Sequence, residues 1–158
     1  MEIRMAQVRD IPGMIELLKQ VGEVHHVIRP DIFRSGALKY DEKALEELLK
    51  YENRPIFVAM NGDFVAGYCF CVLKDYRGSG VQTDRTELYI DDLCVDENRR
   101  GQGVASALYR HVCGYARGLG CAFITLNVWC GNDGAMKFYE NAGLTPRHIM
   151  MEMPLEEN

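Results

Sequence analysis

Apolar positions along the chain switch repeatedly between a two-residue and a 3.6-residue period, the marks of strand and helix respectively. Residues 3–8 read as a short first strand, and Asp10 just ahead of Pro12 opens a helix on which Met14, Ile15, Leu17, Leu18 and Val21 recur at helical spacing. Gly22 is expected to stop that helix. Residues 23–40 carry His25, His26, Pro30 and Gly36 with weak periodicity, which predicts a long irregular loop or short helices of the kind that shapes a binding site. Asp41 then caps a second helix with Leu45, Leu48 and Leu49 on its apolar face. A strand from Pro55 to Met60, the turn Asn61-Gly62-Asp63 and a strand over residues 64–73 make a hairpin, since Asn-Gly supplies the positive φ that tight hairpin turns need. Polar residues 76–85 form a loop tip, and residues 86–95 resume as a strand rich in Leu, Tyr, Ile and Val. Beyond a glycine-rich turn, Val104, Ala105, Leu108, Val112, Cys113 and Ala116 mark a helix over residues 103–117, closed by Gly118 and Gly120. Residues 121–129 are again strand-like. Asn132 or Asp133 starts a further helix with Ala135, Phe138, Tyr139 and Ala142 on its buried face and Gly143 as terminator, and residues 149–153 predict a last strand.

The strand-helix-strand run over residues 86–129 needs one parallel pair, because the chain returns through a helix, whereas the hairpin is antiparallel. The expected fold is therefore α/β, with a mixed and mostly antiparallel sheet. At 158 residues the chain suits a single domain, residues 1–158, with a core that needs no staple. No run of about 18 apolar residues occurs, and the opening Met-Glu-Ile-Arg-Met-Ala lacks the basic-then-apolar order of a leader, so a cytoplasmic protein with no membrane partner is expected. A net charge of −5 without a basic stripe argues against nucleic acid, whose binding is driven by clustered Lys and Arg. Six cysteines lie within apolar periodic segments and form no C-x-x-C pair, so they read as buried thiols and no metal site is expected.

The stretch Asp96-Glu-Asn-Arg-Arg-Gly-Gln-Gly-Val-Ala-Ser joins a strand end to a helix start through Gly101 and Gly103. Unsatisfied amides at such a helix start, the positive end of its dipole and the cation of Arg100 suit phosphate oxygens, and glycine removes the Cβ that would keep the ligand away. A pyrophosphate is the expected ligand. No G-x-x-x-x-G-K-[ST] is present, and the dinucleotide pattern G-x-G-x-x-G fails because position 106 is Ser. Asp91-Asp92 is the other unusual feature: Asp is depleted in strands, and two in succession place a carboxylate on each face unless a bulge intervenes.

Arg100, Gly103 and Ala105 fill the pattern R-x-x-G-x-A, and with it the chain resembles the GNAT superfamily of acyl-CoA-dependent N-acetyltransferases. The downstream Asn132-x-x-Ala135-x-x-Phe138-Tyr139-Glu140-x-x-Gly143-Leu144 is similar to that family's second block. The resemblance implies a GNAT-like fold with a splayed parallel pair and helices on both faces of the sheet. It implies acetyl-CoA as co-substrate, its pantetheine arm paired with backbone of Leu93, Cys94 and Val95. Amides of Gly101, Gln102, Gly103, Val104, Ala105 and Ser106, with Arg100, would hold the pyrophosphate. Asn132 would contact the pantetheine amide, and Tyr139 would stand by the thioester sulfur and protonate the leaving thiolate, although Tyr139 also reads as a core aromatic beside Phe138. The position of Asp91 resembles that of acidic residues gripping the amine in polyamine acetyltransferases of this superfamily, with the shorter Asp in place of Glu. Asp91 and Asp92 are thus the candidate amine ligands, and Asp91 the candidate base. Direct attack in a ternary complex is preferred to an acetyl-Cys94 route, because nothing in the sequence supplies Cys94 with a base. The acceptor is read as a primary amine of a small molecule or protein. The alternative is a non-catalytic acyl-CoA-binding module, and a homodimer is compatible with either.

Overall fold

The structure, a computed structural model, describes residues 1–155, and the chain divides into two compact units, Met1–Asn127 and Val128–Asn158. The first unit holds strands β1 (Glu2–Met5), β2 (Ile56–Asn61), β3 (Phe64–Asp75), β4 (Thr86–Val95) and β5 (Phe123–Leu126), with helices α1 (Ile11–Ile28), α2 (Glu42–Leu48) and α3 (Val104–Gly118). Its sheet runs in the order β1-β2-β3-β4-β5. Neighbours are antiparallel except β4 and β5, the parallel pair that the return through α3 requires.

Side chains alternate across the strands, so the sheet has two apolar faces. On one, Ile56, Val58, Met60, Val65, Tyr68, Phe70 and Cys94 pack with Ile11, Met14, Leu17 and Leu18 of α1 and Leu45 of α2. On the other, Phe57, Ala59, Cys69, Cys71, Leu88 and Ile90 pack with Val104, Leu108, Val112 and Ala116 of α3. Helices therefore cover both faces.

β4 contains a bulge. Phe70 pairs with Asp92 and Cys71 with Ile90, which leaves Asp91 as the extra residue. Before it, Leu88 and Ile90 face α3; after it, Cys94 faces α1 instead, so one inserted residue exchanges the two sides of the strand. The parallel ladder with β5 covers Glu87 to Ile90 alone and ends at the same point.

α1 does not stop at Gly22 but continues to Ile28. A Cβ at residue 22 would lie 2.9 Å from the carbonyl oxygen of Ala37, so the glycine admits a close crossing by the following loop rather than ending the helix. Pro30 accounts for the stop: the residue before proline is pushed out of the helical region, and Arg29 takes φ −138° and ψ 74°. His25 and His26 consequently lie in the last turn of α1, not in a loop. Residues 121–129 yield only the four-residue β5.

In the second unit, α4 (Asp133–Asn141) is capped by the Asn132 side chain, which accepts from the amide of Ala135, and Gly143 takes φ 93° two residues past the helix end. The strand expected over residues 149–153 does not form. Its Ile and Met have strand propensity, but propensity needs a ladder to act on, and Ile149, Met150, Met151 and Met153 stand exposed. Among the described residues no helix is long and apolar enough to cross a membrane.

Candidate active site

The bulge turns both carboxylates of the Asp pair toward one aromatic cluster. The Tyr68 hydroxyl donates to Asp92 at 2.9 Å, and the Tyr40 hydroxyl donates to Asp91 at 3.0 Å. Both tyrosine rings pack on Phe70, with centroids 4.7 Å and 5.6 Å away, so the two acids share the α1–α2 side of the sheet. The opposite faces expected of a regular strand are replaced by one, for the reason given by the pairing register. Burial pushes the Asp92 carboxyl up to about 6, opposed by the charge of Lys39 and the Tyr68 hydrogen bond. Lys39 pairs with Asp91 at 2.8 Å and also donates to its backbone oxygen at 3.3 Å. Burial works against the Lys39 charge, but the hydrogen bond and charge of Asp91 outweigh it and its pKa is raised.

Lys39, Tyr40 and Tyr68 have no counterpart in the sequence reading. Lys39 and Tyr40 sit in an irregular segment with no period to read. Tyr68 gave one usable signal, since a tyrosine at a core position of a strand needs a partner for its hydroxyl.

Past the end of the β4–β5 ladder, residues 91–95 keep β3 on one side only, which leaves the outer backbone edge of Leu93, Cys94 and Val95 beyond the parallel ladder. At the end of β4, Asp96 accepts from the amide of Asn98 and from Gln20 of α1, while Gln20 in turn accepts from the amide of Glu97. These bonds fix the base of the glycine turn to α1. Gly101 and Gly103 have φ 75° and 81°, a region that side chains other than glycine rarely adopt, and a Cβ on either would meet no atom within 4 Å. The space over them is open. Gly103 is the N-cap of α3 and has no side chain to satisfy the first-turn amides, so Val104, Ala105 and Ser106 follow an uncapped helix start with Arg100 and Gln102 exposed beside it. An uncapped helix start with open space above its glycines suits phosphate oxygens.

Cys94 is buried, its thiol donates to the Leu17 carbonyl at 3.5 Å, and burial pushes it up to about 12. A thiol so held is not a nucleophile at neutral pH. His26 Nδ1 donates to the Phe33 carbonyl at 2.7 Å and His25 stacks on the Phe33 ring, so both histidines hold the loop that follows α1. Tyr139 of α4 is buried and meets the Phe138 ring edge-on, with centroids 5.1 Å apart. Among the described residues no group of three or more His, Cys, Asp or Glu is arranged to hold a metal ion.

The model of the Acetyltransferase (GNAT) family matches residues 23–144, and the chain belongs to that family. A mutant of the BH1408 protein from Bacillus halodurans is 30% identical, with a TM-score of 0.94 over 99% of this chain and 100% of that one. N-alpha-acetyltransferase 30 of Schizosaccharomyces pombe is 31% identical over 87 residues, 55% of each protein, so the chain spans about half the length of that curated relative. An aminoglycoside N-acetyltransferase solved with CoA shares the fold at 16% identity, with a TM-score of 0.71 over 98% of this chain and 99% of that chain. The family uses acetyl-CoA as acyl donor and binds an acceptor substrate.

Proposed function

We propose that this chain, acting as a single domain, moves the acetyl group of acetyl-CoA to a primary amine by direct attack in a ternary complex. The observation that carries the reading is the bulge at Asp91, which gathers two carboxylates on one side of β4 where the parallel ladder ends. Asp91 and Asp92 bind the cationic amine, and Asp91 takes its proton, directly or through a water, so that the neutral nitrogen can attack the thioester. Leu93, Cys94 and Val95 offer backbone to the pantetheine arm, and Asn132 contacts its amide. The pyrophosphate lies on the amides of the turn from Gly101 to Ser106, with Arg100 adding a cation. Tyr139 gives its proton to the leaving thiolate. Because a thioester is already activated, holding the nitrogen about 3–3.5 Å from the carbonyl carbon supplies much of the rate.

An N-alpha-acetyltransferase and an aminoglycoside acetyltransferase among the proteins this chain resembles both act on amines, which supports an amine acceptor without choosing between a protein and a small molecule. A panel of polyamines, amino acids, aminoglycosides and N-terminal peptides, followed by release of the CoA thiol, tests the reading. Turnover of one or more cationic amines is expected. Calorimetric binding of CoA with no thiol release from any amine would instead identify a non-catalytic acyl-CoA-binding module.

A further inference from the structure

The carboxylate assigned to the acceptor amine already holds a primary amine of the chain itself. Lys39 Nζ lies 2.8 Å from an Asp91 carboxylate oxygen and 3.3 Å from the Asp91 backbone oxygen, while the Tyr40 hydroxyl fixes the same carboxylate at 3.0 Å. Lys39 retains 43% of its side-chain exposure against 23% for Asp91, so the ammonium is the more accessible partner of the pair. The loop that carries it is set by the close crossing of Gly22 and the Ala37 carbonyl and by the His26 bond to Phe33. No long-range rearrangement is needed to bring the ammonium to the acid.

From this placement we infer that Lys39 is an acceptor in its own right and that the enzyme acetylates itself at Lys39 Nζ. The inference rests on the assignment of Asp91 to the acceptor amine. In the step, Asp91 takes one proton from the Lys39 ammonium, and the freed lone pair forms a bond to the thioester carbonyl carbon. The carbon–sulfur bond breaks, and the thiolate leaves and is protonated to the free CoA thiol. The tetrahedral nitrogen sheds its second proton to solvent and becomes a neutral amide. An acetylated Lys39 can no longer pair with Asp91, so the modification frees that carboxylate for an external amine.

The test is incubation of the purified protein with acetyl-CoA and no added amine, followed by peptide mapping by mass spectrometry. Lys19 and Lys50 are built-in controls, being 55% and 65% exposed and each paired with the glutamate three positions before it. Lys39 is expected to gain its acetyl group at least tenfold faster than either. The rate should be first order and independent of protein concentration, and Asp91→Asn should slow it. Equal labelling of the three lysines, as in uncatalysed acetylation, overturns the inference. So does a bare Lys39 in a preparation that releases thiol with a free amine, and that result leaves the acetyltransferase reading standing. A preparation that binds CoA but neither labels Lys39 nor turns over any amine overturns both.

Discussion

A buried hydroxyl with a catalytic task and one with a packing task differ in what the loss of a single oxygen does. Tyr139→Phe keeps the ring and its contact with Phe138, so the fold should survive. If Tyr139 protonates the thiolate, kcat should fall at least tenfold, about 1.4 kcal/mol of transition-state stabilisation, with little change in KM for acetyl-CoA. A kcat within twofold of the wild type would assign the tyrosine to the core. Asp92 makes a prediction of a different kind. Its ordinary carboxyl value is 3.8 and its folded value about 6, so the folded state binds this proton more tightly than the unfolded chain does. That stabilisation is fully present below pH 3.8 and is lost as pH rises through about 6. Asp92→Asn keeps an oxygen that can accept from Tyr68 and removes the buried charge. The variant should therefore be more stable at pH 7–8, by at most about 3 kcal/mol, and its stability should lack the wild-type decline between pH 4 and 7. Denaturant midpoints measured across that range check both points, and a variant less stable than wild type at pH 8 would contradict them.

Elements with a sharp start and a long period were readable from the chain, and those defined by what crosses them were not. Asp41 and Asn132 cap α2 and α4 as their side chains require, and Asn61-Gly62 turns the hairpin. Gly22 misled because a glycine in a helical pattern means either an end or a close approach, and only the position of Ala37 distinguishes them. The Asp pair was legible as an anomaly, but the face each acid takes depends on a bulge, and a bulge is a fact about pairing with β3 rather than about β4 alone. Lys39 and Tyr40 reach Asp91 across 52 and 51 positions of sequence, a separation that no local pattern encodes. The conformation of the glycine turn was legible because it is determined by neighbours in the chain. Gly103→Val tests it as an element: φ 81° is strained for a branched side chain, and the added atoms would fill the space open above the turn. CoA affinity by calorimetry should fall more than tenfold while the far-ultraviolet circular dichroism stays that of the wild type. Unchanged affinity in the folded variant would reduce the turn to a chain reversal.

At the scale of the molecule, the proposed reaction requires donor and acceptor to be bound together, with no acyl group stored on the protein between them. Cys94 meets that requirement by being a protonated, buried thiol. Initial rates at varied acetyl-CoA and amine should accordingly give intersecting double-reciprocal lines, and parallel lines would point to an acetyl-enzyme on the turnover path. The bulge has a consequence for how this chain tolerates change in length. It acts as a frame-shift written into the sheet: residues before position 91 are read by α3 on even numbers, and residues after it are read by α1 on even numbers. Deleting Asp91 alone would restore a single frame. Ile90 and Asp92 would then be successive residues opposite Cys71 and Phe70 in a regular ladder, and Asp92, Leu93, Cys94 and Val95 would all keep their present faces. A one-residue deletion at this position should thus leave soluble expression intact while removing the carboxylate that Lys39 and Tyr40 hold, and loss of soluble expression from that deletion would contradict it.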